Sequence, residues 1–177
     1  MNNAQSMNIA QTERLLLRTW HESADRAAAL TLWRNPQVAR YIDDGKVPTA
    51  EEILASLAHG VQHQTKYGCQ LWAVERQREV IGCCGFSHFE APNTFEMVFH
   101  FLPSHWSKGY ATEAGQAALA YFYTQNPAAK VVAGAHPDNR ASWRVLDKLG
   151  FVYQGLKWFN DTQQEEPFFI HKQKSNL

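Results

Sequence analysis

Trp106-Ser-Lys-Gly-Tyr-Ala-Thr-Glu-Ala114 is a glycine-containing loop that runs into an alanine-rich helix, and the apolar stretch Thr94-Phe-Glu-Met-Val-Phe-His-Phe-Leu102 precedes it. Strand, loop and helix in that order gather free backbone N–H groups and the positive end of a helix dipole at one spot. Such a spot suits an anion, most often a phosphate. Gly109 and Ala111 are small where a ligand must come close to the backbone. Thr112 and Glu113 put polar side chains in the first helical turn. The pattern is neither the G-x-x-x-x-G-K-[ST] phosphate loop nor the G-x-G-x-x-G dinucleotide loop. A loop of this kind is also an ordinary helix start, so the reading depends on what surrounds it.

Downstream, Lys130-Val-Val-Ala-Gly-Ala135 reads as a strand. Asp138-Asn-Arg-Ala-Ser-Trp-Arg-Val-Leu-Asp-Lys-Leu-Gly-Phe151 follows, with a helix over about 141–149 ended by Gly150. Phe151-Val-Tyr153 and Phe168-Phe-Ile-His171 read as closing strands. Upstream, Gln70–Val74, Val80–Phe86 and Thr94–Leu102 succeed one another across short turns, which implies an antiparallel meander. Before it, Thr49 and Glu52 form a capping box, and Ile53, Leu54, Leu57, Ala58 and Val61 recur at helical spacing. Arg14–Arg18 reads as a first strand. Ser23 is placed to cap a helix running to Trp33, which Asn35-Pro36 breaks before a short helical piece over 37–41. A meander joined to strand–helix–strand–helix–strand predicts an α/β, mixed sheet with helices on both faces.

The totals agree with one domain over residues 12–177, preceded by a loose polar leader over 1–11. Lys+Arg and Asp+Glu are both 17, and this balance argues against a general nucleic-acid binder. No apolar run approaches the ~20 residues of a membrane span. Met1–Met7 has neither the basic start nor the apolar stretch of a secretory signal. Cys69, Cys83 and Cys84 show no metal-ligand spacing, nor do the eight histidines. They read as reduced, buried thiols of a cytoplasmic protein, and no metal is expected.

The stretch Phe95–Ala118, with Asn139-x-x-Ser142 and Lys148-Leu-Gly-Phe151, resembles the GNAT superfamily of N-acetyltransferases. Within it, the most similar subgroup contains the ribosomal-protein N-terminal acetyltransferases. The opening Thr12–Arg18 and the Leu32–Val38 region also look like that subgroup, so the likeness spans about Thr12 to His171. The resemblance implies a mostly antiparallel sheet with a splay between two parallel strands, and acetyl-CoA as co-substrate. The family's Q/R-x-x-G-x-G/A loop falls on Trp106, Ser107, Lys108, Gly109, Tyr110 and Ala111, with Trp in place of Gln or Arg. Loop N–H groups would cradle the pyrophosphate, and Thr112 would follow in the first turn. By the same resemblance, the backbone near Phe99, Phe101 and Leu102 would pair with the pantetheine amides like an added strand. Asn139 would bond the pantetheine or order the next loop, and Ser142 would sit near the sulfur. Asn139 also reads as a plain helix cap.

Acetyl transfer to an amine needs a neutral amine, a polarised thioester carbonyl and a stabilised leaving thiolate. Glu96, in apolar Phe95-Glu-Met-Val-Phe99, is the candidate base, since such surroundings raise a carboxylate's pKa. Ser142 is the candidate for meeting the thiolate, ahead of Tyr110 and Tyr153. His88 and His100 stand as alternative bases or structural side chains. The region 20–65 is expected to shape the acceptor site, with Asp43 and Asp44 either attracting a cationic amine or serving a turn with Gly45. Trp158 and Phe159 are candidates to line the same cleft. The expected acceptor is a peptide N-terminal α-amine or a small-molecule amine. The rival reading is a non-catalytic acyl-CoA sensor. Self-association is left open between monomer and homodimer.

Overall fold

A computed structural model describes residues 6–173. The chain runs β1 (Asn8–Gln11), β2 (Leu16–Arg18), α1 (Arg26–Trp33), α2 (Pro36–Ala39), α3 (Ala50–Tyr67), β3 (Leu71–Arg76), β4 (Glu79–His88) and β5 (Thr94–Phe101). A 3-10 turn (Pro103–His105) then leads to α4 (Tyr110–Gln125), β6 (Lys130–Gly134), α5 (Arg140–Lys148), β7 (Phe151–Phe159) and β8 (Gln164–His171). The strands form an eight-stranded sheet in the order β1-β2-β3-β4-β5-β6-β8-β7. Every neighbouring pair is antiparallel except β5 and β6.

That exception positions the site. β5 and β6 pair only from Thr94 to Glu96 against Lys130 to Val132. Beyond Glu96, β5 stays with β4, while from Val132 onward β6 pairs with β8. The two parallel strands therefore part, and the fork opens just after Glu96.

The pleat sends alternate residues to two cores. On one face Trp72, Val74, Cys84, Phe86, Phe95, Met97 and Val131 pack against α4 and α5 through Ala114, Ala118, Phe122 and Leu146. On the other, Ala73 and Cys83 pack against α1, α2 and α3 through Leu32, Val38, Ile53 and Leu57. The adjacent Cys83 and Cys84 thus belong to different cores. Both are free and fully buried.

Local chemistry sets the helix ends. At α3, Thr49 Oγ1 accepts from Glu52 N–H (3.2 Å), and the Glu52 carboxylate accepts from Thr49 N–H (2.7 Å). The expected cap at Ser23 does not form. Asp25 takes the N-cap position with no side-chain capping bond. Its carboxylate accepts from His21 N–H and pairs with Arg18 at 2.6 Å instead.

Two further expectations are corrected. Residues 1–5 lie outside the described residues, but Asn8–Gln11, expected within a loose leader, forms an edge strand paired with β2. Its polar sequence hides this, because only Ile9 of that strand is buried. The closing strands are longer than 151–153 and 168–171. The hairpin is paired from Phe151↔His171 to Phe159↔Gln164. Its outer half carries exposed Leu156 and Trp158 and a bulge before Gly155, so it lacks the clean alternation that marks a strand.

Candidate active site

Glu96 is the last paired residue of β5 before the fork, and its side chain lines a cleft of about 690 Å³. Its Oε1 accepts from Gly134 N–H across the gap (3.1 Å). Its Oε2 has no hydrogen-bond partner among the described residues. Burial pushes the Glu96 carboxyl up to about 7, which the Gly134 N–H only partly offsets; Asp161, Glu166 and Glu90 add to the rise. Gly134 is required by close approach. A Cβ there would lie 2.7 Å from the Phe159 ring and 3.3 Å from Glu96 Oε1.

The side of the cleft formed by β5 and the start of α4 is built mostly of backbone. Leu102 N–H donates to Ile81 C=O (2.9 Å), so that residue turns its N–H toward β4. By the alternation of an antiparallel ladder, Phe99 and Phe101 turn theirs into the gap. Phe99 and Phe101 line the cleft. Leu102, expected with them, does not line it, and its N–H is taken up by Ile81 C=O. The Phe101 carbonyl accepts from Trp106 Nε1 (2.6 Å), which pins the loop to the end of β5. This is the contact made by the residue at the position where the family pattern has Gln or Arg.

After Trp106, Ser107 (φ 60) and Gly109 (φ 82) both adopt the left-handed region and curve the chain into α4. The first backbone N–H groups of a helix have no intrahelical acceptor. Those of Tyr110, Ala111 and Thr112 find none elsewhere among the described residues. Trp106, Ser107, Gly109, Tyr110, Ala111 and Thr112 all line the cleft. Lys108 does not; its Nζ bonds Ser104 C=O (2.8 Å).

The loop is clamped from the far edge of the sheet. Arg14 Nε and Nη2 both reach Glu113 Oε2 (2.6 Å each), Nη1 donates to Lys108 C=O (3.1 Å), and Thr12 Oγ1 donates to Glu113 Oε1 (2.5 Å). The Arg14 guanidinium also covers the Tyr110 ring. The sequence reading missed this clamp, since Arg14 there is only the charged end of a strand.

Asn139 and Ser142 line the cleft at the start of α5. Asn139 Oδ1 caps the helix by accepting from Ser142 N–H (3.2 Å). Tyr110 is buried and borders the cleft; Tyr153 stacks on Trp143, is half exposed and lies away from it. His100 Nδ1 accepts from Trp33 Nε1 (3.1 Å), and burial drives it down to about 4, so it is a neutral structural side chain. His88 is exposed on the surface beside Tyr67. Burial pushes the Cys69 and Cys83 thiols up to about 12, which removes their nucleophilic character at neutral pH. No cluster of three or more His, Cys, Asp or Glu suited to a metal occurs among the described residues.

The opposite wall carries carboxylates. Asp43, Asp161 and Glu166 line the cleft with Glu96, beside Tyr41, His136 and Phe159. Asp44 turns away and pairs with Lys46. Trp158 is exposed and does not line the cleft, whereas Phe159 covers Gly134. Asp161 and Glu166 had no local signal; a polar hairpin end reads as solvated turn.

The family model for an acetyltransferase (GNAT) domain matches residues 14–152. YnaD of Bacillus subtilis (strain 168), an uncharacterized N-acetyltransferase, is 30% identical over 146 residues, covering 82% of this chain and 83% of its own. An acetyltransferase of the GNAT family from Bacillus anthracis superposes with a TM-score of 0.76 at 26% identity, covering 93% of this chain and 96% of that one. The ribosomal L7/L12 α-N-protein acetyltransferase RimL in complex with coenzyme A has a TM-score of 0.79 at 19% identity, over 93% and 97% of the two chains, and shares the fold.

Proposed function

The chain belongs to the GNAT acetyltransferase family, and from that premise we propose that it transfers an acetyl group from acetyl-CoA to a primary amine by direct attack in a ternary complex. The observation that carries this reading is the Glu96 carboxyl: buried at the fork of β5 and β6, raised to about 7, and opening onto the same cleft as the unpartnered N–H groups of Tyr110, Ala111 and Thr112.

The donor enters the gap between the parted strands. Its pyrophosphate lies at the start of α4, where three N–H groups and the helix dipole meet a double negative charge. Phe99 N–H and C=O and Phe101 N–H offer an edge for the pantetheine amides. Asn139 holds the first turn of α5 in place and Ser142 lies near the sulfur. Glu96, ionised, takes a proton from the acceptor ammonium directly or through a water. The neutral nitrogen attacks the thioester carbon, the N–C bond forms and the C–S bond breaks; the nitrogen gives up its surplus proton, and coenzyme A leaves as a thiolate that takes up that proton near Ser142. No covalent enzyme intermediate is needed, because holding both reactants together removes much of the barrier. Three free, buried cysteines suit a reducing, cytoplasmic setting.

The test is free-thiol release from acetyl-CoA by the purified chain, with and without primary amines. Amine-dependent release supports the reading. Tight acetyl-CoA binding with no amine-dependent release overturns it in favour of an acyl-CoA sensor.

A further inference from the structure

The sheet order puts β8 between β6 and β7, yet Phe159, the last residue of β7, packs against Gly134 of β6. Its ring reaches across β8 and meets Gly134 on the side where Glu96 lies. A Cβ at Gly134 would stand 2.7 Å from Phe159 Cζ and 3.3 Å from Glu96 Oε1. The ring edge and the carboxylate therefore crowd one point, beside the bond in which Gly134 N–H donates to Glu96 Oε1 (3.1 Å). Phe159 is only 8% exposed, while Leu156 and Trp158 of the same strand are more than half exposed. In this outer half of the hairpin, the buried ring is the one at Glu96.

A second set of contacts fixes that ring. Phe89, from the turn between β4 and β5, and Phe168, the β8 residue opposite Gly134, have ring centroids 6.1 and 6.4 Å from that of Phe159. Lys157 Nζ lies 4.8, 5.7 and 5.6 Å from the centroids of Phe89, Phe159 and Phe168. The same Nζ bonds both carboxylate oxygens of Glu90 (2.7 and 2.6 Å). This pair ties the hairpin to the turn that leads into β5. Phe159 and Glu96 are thus fastened to one piece of chain, although 63 residues separate them.

Resting on the proposed acetyl transfer, we infer that Phe159 is a positioning residue for it: its ring seals the Gly134–Glu96 hydrogen bond from water, so that Oε1 is held and Oε2 alone is presented to the acceptor. A hydrogen bond kept dry is stronger and better fixed than one shared with water. Gly134 is part of the device, since a side chain there would drive the ring off. Burial is the largest cause of the raised Glu96 carboxyl, and the ring supplies part of it at the oxygen that is held. Charged groups face Glu96 from other elements too. Asp161 of the β7–β8 turn, Glu166 of β8 and Glu90 of the β4–β5 turn raise its carboxyl further. Asp43, from the loop after α2, and His136, beyond β6, border the same cleft, as do Arg140, Arg144 and Lys148 of α5; His100, on β5 itself, is neutral. All of these remain when the ring is removed, so a change in the titration of Glu96 reports the seal.

The experiment follows, across pH, the carboxyl carbon-13 resonance that Glu96→Gln removes. It is run on the full chain and on Phe159→Ala and Phe159→Met, with amine-dependent free-thiol release measured alongside. Unfolding midpoints check that each variant is folded; Phe159→Val, suited to a strand, carries the same expectation if Phe159→Ala does not fold. In Phe159→Ala the Glu96 titration is expected to fall from about 7 toward 4.5 by at least about one unit. A weaker, less fixed base should lower the high-pH plateau of kcat roughly tenfold and leave the KM for acetyl-CoA within about twofold. Phe159→Met, long and apolar, should restore most of both. Packing loss alone would lower the unfolding midpoint and leave the titration in place. Glu96 titrating in Phe159→Ala as in the wild type, or Phe159→Met faring no better than Phe159→Ala, overturns the inference and leaves acetyl transfer standing. No amine-dependent release by the wild type overturns acetyl transfer and the positioning role with it.

Discussion

The two walls of the cleft are made in different ways. The proposed donor wall comes mainly from one stretch of chain, Phe99 to Thr112, joined by Asn139 and Ser142, and what that stretch offers is backbone: strand-edge groups of β5 and the free N–H groups of α4. The wall proposed for the acceptor carries side chains from Asp43, Glu96, Asp161 and Glu166, set up to 123 residues apart and joined only by the fold. Backbone recognition fits a co-substrate common to a family, because it survives side-chain change. A wall assembled from loops and a hairpin turn is free to vary with the acceptor.

Changes on one wall should therefore leave the other alone. The largest effect is expected from Glu96→Gln, which should lower kcat by about 10²- to 10⁴-fold while acetyl-CoA affinity, measured by calorimetry, changes little. Comparable loss of affinity would mean that the walls are not separable. Next comes pH. A base acts only when ionised, so kcat/KM should rise with pH about tenfold per unit below the Glu96 value of about 7 and then level off. The stability sign runs the other way. A carboxyl raised from 4.5 to about 7 favours the folded state most below 4.5, and that advantage is lost as pH rises through about 7. Denaturant titrations should show this slope in the wild type and not in Glu96→Gln.

Gly109→Ala should act on the donor wall alone. Its φ of 82° costs an L-residue roughly 1–2 kcal/mol, and acetyl-CoA affinity should fall about tenfold with acceptor KM little changed. Arg14→Ala should do the least. The guanidinium is 42% exposed, so despite its two contacts to Glu113 the pair is worth about 1 kcal/mol or less, and a few-fold rise in the KM for acetyl-CoA is expected. A larger effect would show that the clamp from the β1–β2 edge sets the loop's geometry.

The same division explains what could be read in advance. The mixed sheet, the helices on both faces and the capping box at Thr49 follow from periodicity and local capping chemistry. The loop 106–112 was legible because its signal is contiguous, and the splay because the chain resembles a family that has one. Glu96 was legible because a lone carboxylate interrupts an apolar strand. The Arg14–Glu113 clamp and Asp161 were not, because each needs two segments about 100 residues or more apart to meet, and neither leaves a local pattern. Leu102 N–H turns to β4 and not to the gap, because the direction of a backbone N–H depends on strand register, which only the ladder with β4 reveals. Asn8–Gln11 reads as polar leader in sequence because an edge strand with one buried residue carries too little apolar signal.

Thermal unfolding of the wild type and of Glu96→Gln, each with excess acetyl-CoA and with AMP as control, tests the central claim most directly. The account predicts that acetyl-CoA raises both midpoints alike, by a stabilisation of about 2.7 kcal/mol at a hundredfold excess over the dissociation constant, and that AMP does not. No rise with acetyl-CoA in the wild type would contradict it, because the backbone groups from Phe99 to Thr112 would then not hold the donor.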